Sequence, residues 1–83
     1  MEKKFENLEE LFDNILHGGE IEFKVFSREY AILPTADGIL MLEKDNEESQ
    51  ILYKAMECIL EYPICGKTFK DVFDDIEILF RCF

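Results

Sequence analysis

The hydrophobic period changes from helical to alternating across a pair of glycines, and that change dictates how the fold begins. Phe5, Leu8, Leu11, Phe12, Ile15 and Leu16 recur at helical spacing. Asn7 stands where an N-cap belongs, with Glu10 three residues on, as in a capping box. Gly18-Gly19 supplies the stop. Immediately beyond, Ile21, Phe23 and Val25 alternate with Glu20, Glu22 and Lys24, the pattern of a half-buried strand. A chain that makes this switch lays an amphipathic helix against one face of a sheet.

The strands continue. Ser27-Arg28 reads as a short turn, and Tyr30 to Leu33 as a second strand ended by Pro34, which cannot donate to a ladder. Asp37-Gly38 is a turn signal, and Ile39-Leu40-Met41-Leu42 a third strand, apolar on both faces. Asp45 to Ser49 reads as an acidic loop. Ile51, Leu52, Ala55, Met56, Ile59 and Leu60 then recur at helical spacing up to Pro63. Tyr62 to Gly66 is a connector. Thr68, with Asp71 three positions on, caps a last helix striped by Phe69, Val72, Phe73, Ile76, Leu79 and Phe80. The expected architecture is α+β in the order α-β-β-β-α-α, a three-stranded antiparallel sheet packed against helices, in a single domain over 1–83.

Composition supports a core and sets the surface. The hydrophobic share of 48%, with eight Phe, argues against disorder. No run approaches the roughly 18 apolar residues of a membrane span. Met1-Glu2-Lys3-Lys4-Phe5 leads into an acidic amphipathic stretch with no apolar signal core, so cysteines here read as reduced thiols and the expected location is the cytoplasm. Nineteen acids against nine bases give a net charge of −10. Direct nucleic-acid binding, which needs Lys and Arg on phosphates, is disfavoured. Basic macromolecular surfaces are the favoured partners, and plain solubility is the simpler alternative.

The chain lacks a catalytic set. Its one histidine, His17, falls at the end of the first helix, where a cation suits the helix dipole. No glycine-rich phosphate loop is present, and Asp45 to Ser49 lacks the calcium-loop pattern. The expectation is therefore not an enzyme. His17 with Cys58, Cys65 and Cys82 has the donor types of a structural zinc site. Six residues separate Cys58 from Cys65, wider than the compact spacing of zinc fingers, and three reduced thiols acting as small hydrophobes are the alternative. The acids cluster twice: Glu43, Asp45, Glu47 and Glu48 around the loop, and Asp71, Asp74, Asp75 and Glu77 on the last helix. There, Asp71, Asp74 and Asp75 would share a face as a partner-binding ridge or a solvated one.

Two stretches, Leu11 to Phe23 and Ile64 to Ile78, resemble a group of small acidic proteins encoded by phages and prophages of Gram-positive bacteria. The second reads Ile64-Cys65-Gly66-Lys67-Thr68-Phe69-Lys70-Asp71-Val72-Phe73-Asp74-Asp75-Ile76-Glu77-Ile78, and Cys65 stands where the group has Asp. Some small acidic phage proteins are anti-CRISPR inhibitors of the type II RNA-guided DNA nuclease. The resemblance implies a stoichiometric inhibitor, monomer or simple dimer, whose acidic surface occupies a basic surface of a host nucleic-acid-binding protein and blocks target-DNA loading. The alternative is a structural or regulatory interaction module, homodimeric through an apolar patch or zinc-stabilised, without a defence role.

Overall fold

The computed structural model describes residues 4–82. The chain is α+β. Helix α1 (Leu8–Leu16) is followed by β1 (Ile21–Val25), β2 (Arg28–Thr35), β3 (Gly38–Glu43) and β4 (Asn46–Tyr53). A 3-10 helix (Met56–Glu61) leads to a small hairpin, β5 (Pro63–Ile64) and β6 (Lys67–Thr68). The four-residue helix α2 (Phe69–Val72), a 3-10 turn (Phe73–Asp75) and strand β7 (Glu77–Arg81) complete it. The main sheet has five strands in the order β4-β3-β2-β1-β7, every pair antiparallel.

The first half follows its sequence signals. Asn7 Oδ1 accepts the Glu10 amide at 2.9 Å, and the Glu10 carboxylate reaches back to the Glu6 amide at 2.8 Å. Gly18 adopts φ +77 and ends α1. Ile21, Phe23 and Val25 are buried while Lys24 is exposed.

Several expectations are corrected. Pro34 does not end β2, because it pairs with Ile39 beyond Ile21–Ile32, the last β1–β2 pair. There β2 has outrun β1 and is locally an edge, where a missing donor is tolerated. The acidic segment after Asp45 is strand β4, not a loop, and the helix expected over Ile51 to Leu60 is the end of that strand followed by the 3-10 helix. The last expected helix stops at Val72, and Glu77–Arg81 instead adds a fifth strand beside β1. The sheet is five-stranded rather than three-stranded, and no long helix carries Asp71, Asp74 and Asp75 on one face.

The main core cluster lies on one face of the sheet. Ile21, Phe23, Tyr30, Ile32, Ile39 and Met41 pack there with Leu11 and Ile15 of α1, Ile59, Tyr62, Phe69 and Val72. Phe23 stacks on Tyr30 with centroids 5.3 Å apart and meets Phe69 at 5.2 Å.

One buried polar side chain ties three elements together. Asn14 is 0% exposed. Its Nδ2 donates to Gly19 O and Cys82 O, each at 3.3 Å, and its Oδ1 accepts from Arg81 Nε at 3.0 Å. The end of α1, the entry to β1 and the end of β7 therefore meet at one carboxamide. The fit depends on Gly19, where a Cβ would stand 1.5 Å from Cys82 O.

Asn14→Ala is expected to cost about 2–3 kcal/mol, since it removes three hydrogen bonds inside the protein. Gly19→Ala forces two backbones apart and is expected to cost about as much. Gly18→Ala meets nothing within 4 Å, so only its backbone strain, about 1 kcal/mol, is at stake. Denaturant unfolding of the three variants checks this order.

Candidate functional site

The strand registers collect one end of the sheet into a distinctive surface. Glu77 pairs with Lys24, Val25 with Arg28, Tyr30 with Glu43 and Glu43 with Asn46. The β1–β2 turn, the β3–β4 turn and the start of β7 therefore share that end. Glu43, Asp45, Glu47 and Glu48 stand at one side of it. Asp74, Asp75 and Glu77 stand at the other, four strand spacings of about 4.8 Å away, or roughly 20 Å. The two clusters are distant in sequence and become a single rim through the sheet order.

Two of the cations at this end are occupied. Arg28 Nη1 pairs with Glu43 Oε2 at 3.1 Å. Lys44 Nζ sits on Glu22 and, at 3.5 Å, on Glu29. Asp45, Glu47, Glu48, Asp74 and Asp75 are all exposed, and none of them makes an ion pair among the described residues. Asp71 behaves differently. Its carboxylate accepts the Thr68 amide at 3.2 Å, and its amide donates to Thr68 Oγ1 at 3.3 Å. Those hydrogen bonds hold its carboxyl below the ordinary value, so Asp71 serves as a cap for α2 rather than as part of a ridge.

Backbone strain gathers at the same end. Among the described residues, the non-glycine ones with positive φ are Phe26 (53), Ser27 (64), Asp45 (65) and Cys65 (51). Phe26-Ser27 and Cys65-Gly66 each put two left-handed residues in succession at a two-residue hairpin loop, the type I′ arrangement, which favours Asn-Gly. Asp45 tolerates its conformation; Phe26, a bulky residue, is the outlier among them. Phe26 is 48% exposed at the tip of the β1–β2 hairpin, between the two groups of carboxylates. It was missed from sequence because the turn carries neither Gly nor Asn. The available signal was the second consecutive apolar residue, Val25-Phe26, which breaks the alternation and moves the turn one residue before Ser27-Arg28.

Beside the rim is a cavity of about 370 Å³, lined by Arg28, Tyr30, Glu43, Ser49, Tyr62 and Cys65 among others. Ser49 Oγ accepts the Glu43 amide at 2.7 Å, and Tyr62 donates to Ser49 O at 2.9 Å, fixing its wall. Burial pushes the Tyr30 hydroxyl up to about 12, with the nearby Cys65 thiol and Glu43 carboxylate adding to the effect. Burial is also the main cause that raises Tyr53 and Tyr62.

The proposed zinc ligands are dispersed over the elements. His17 caps α1 with Nδ1 2.8 Å from Asp13 O, Cys58 is half-buried in the 3-10 helix, Cys65 sits on the β5–β6 turn, and Cys82 is exposed just beyond β7. Among the described residues no three His, Cys, Asp or Glu side chains form a group able to hold a metal ion. Among the same residues no helix is long and apolar enough to cross a membrane.

No family model matches the chain, and no curated protein or solved structure matches it either.

Two outcomes follow from this geometry. Replacing Phe26-Ser27 by Asn-Gly relieves two left-handed residues and is expected to stabilise the fold by about 1–2 kcal/mol, read from denaturant midpoints. A raised tyrosine contributes stability fully present below its unfolded value of 10.0 and lost as pH climbs toward about 12. Ultraviolet titration of native protein should therefore show tyrosine ionisation delayed above 10.0, coinciding with alkaline unfolding.

Proposed function

We propose that this chain is a binding domain without catalytic activity that docks its hairpin end on a basic surface of a nucleic-acid enzyme. The carrying observation is the rim of exposed carboxylates, Asp45, Glu47 and Glu48 on one side and Asp74 and Asp75 on the other, with Phe26 between them. A rim of this kind suits a groove lined by Lys and Arg, where it speeds encounter and competes with phosphate. Phe26 adds an apolar anchor at the centre, the usual place for the residues that carry most binding energy.

The resemblance to small acidic phage proteins supplies the target of this reading: the type II RNA-guided DNA nuclease, held so that target DNA cannot load. The inhibition is stoichiometric, because the partner's DNA site is occupied rather than altered. A structural zinc on His17, Cys58, Cys65 and Cys82 is a separate proposal supported by donor chemistry alone. It requires about one equivalent of zinc in protein purified without added metal.

The direct experiment adds the protein to guide-loaded nuclease before target DNA. DNA binding and cleavage should fall in proportion to inhibitor up to one equivalent. Full cleavage at large excess would exclude this target. The triple change Asp45→Lys, Asp74→Lys, Asp75→Lys should weaken the complex about 10- to 100-fold and flatten its salt dependence. Affinity unmoved by that reversal would remove the acidic rim from the interface.

A further inference from the structure

The second face of the sheet points to a different contact. Side chains alternate along each strand, so the residues between the core positions stand on the face away from α1. Leu52 is paired with Leu40 and Leu40 with Leu33, giving one apolar row across β4, β3 and β2. Leu42 is paired with Ala31, Ala31 with Glu22 and Glu22 with Phe80, giving a second row that reaches β7. Leu52 is 43% exposed and Phe80 48% exposed, while Leu33, Leu40 and Leu42 are half-buried. None of these side chains belongs to the core cluster. Strand β3 is thus apolar on both faces, the composition of a strand covered twice, and among the described residues one face is covered.

The charges decide what fits there. On this face stand Glu22, Glu29 and Glu77 against Lys24 and Lys44. Lys44 already bridges Glu22 and Glu29, and Lys24 faces Glu77 across β1 and β7. The face is close to neutral on a chain of net charge −10. A basic partner is drawn to the hairpin end and gains little here. Two copies of so acidic a chain repel each other wherever carboxylates dominate, and this near-neutral apolar face is where they meet at least cost.

We infer that the open face of the sheet is a homodimer interface, formed by the same apolar rows on both copies about a two-fold axis. Five strands about 4.8 Å apart, with about six residues rising 3.3 Å each, give a footprint roughly 20 Å on a side. A pair of such footprints buries on the order of 1,000 Å², the low end for specific interfaces, so association belongs in the micromolar range. The hairpin end stays outside the contact. The inference does not depend on the proposed inhibitor function, and each can fail without the other.

Sedimentation equilibrium at moderate salt tests it. The mass should rise from 9.8 kDa toward twice that value as concentration goes from about 1 to about 200 µM. Leu52→Lys with Phe80→Lys should leave the protein folded by circular dichroism and monomeric over that range. Asp74→Lys with Asp75→Lys should leave the dimer intact. In wild type, amide shifts on dilution should be largest at Leu33, Leu40, Leu52 and Phe80. A single 9.8 kDa species at the highest concentration, or a dimer unmoved by the Leu52 and Phe80 changes, would overturn the inference.

Discussion

The contact on which the remaining structure depends is the one between Asn14 and the two ends of chain that reach it. A carboxamide with 0% exposure must have its hydrogen bonds met inside the protein. It meets them at Gly19, Arg81 and Cys82, so α1, β1 and β7 are held in one geometry. Strand β7 pairs with β1 alone. Its attachment is completed by Cys82 N donating to Glu20 O at 3.0 Å and by the Arg81 guanidinium 4.6 Å from the centre of the Phe5 ring. With β7 in place, β1 becomes an interior strand and Ile76 and Ile78 close the core beside it. The close approach of Gly19 to Cys82 explains why the second glycine of the pair matters as much as the one that ends the helix.

The sequence spoke clearly where local chemistry and tertiary packing agreed. Asn7, Glu10 and Gly18 set the limits of α1, and the alternation from Ile21 to Val25 set the inward face of β1. It misled where two short elements joined into one apparent period. Ile51 belongs to a strand while Met56, Ile59 and Leu60 belong to a 3-10 helix, and together they imitate one helical stripe. The polar opening of β4, Asn46-Glu47-Glu48-Ser49-Gln50, has little strand propensity because it is an edge, and charge on an edge discourages pairing with other chains. At Thr68 the capping box does start a helix, but Ile76-Glu77-Ile78-Leu79-Phe80 is β-branched and aromatic and returns to the sheet.

The candidate site was legible in its charges and not in its assembly. Seven of the eight carboxylates singled out from sequence lie on the rim, yet their union needs the order β4-β3-β2-β1-β7, which no local pattern encodes. Asp71 left the set because a capping carboxylate looks the same in sequence as a displayed one. Phe26 could not be recognised as an exposed tip residue, since its exposure follows from a turn that lacks the residues such turns prefer. That mismatch is itself informative. An Asn-Gly turn would hold the hairpin with less strain, so a bulky aromatic kept in left-handed conformation points to a use for the ring.

Charge and apolar surface are thus distributed by position in the sheet rather than spread evenly. Carboxylates gather at the end of the sheet where strands turn, and there they can stay hydrated while Arg28 neutralises Glu43 and Lys44 neutralises Glu22. The open face holds Lys44 between Glu22 and Glu29 and keeps its centre apolar. A salt change therefore separates the two surfaces: screening weakens what the rim attracts and strengthens what the face attracts, because it lowers repulsion between like-charged copies without touching apolar burial. Any contact made through the rim and any made through the face must then respond to ionic strength with opposite signs.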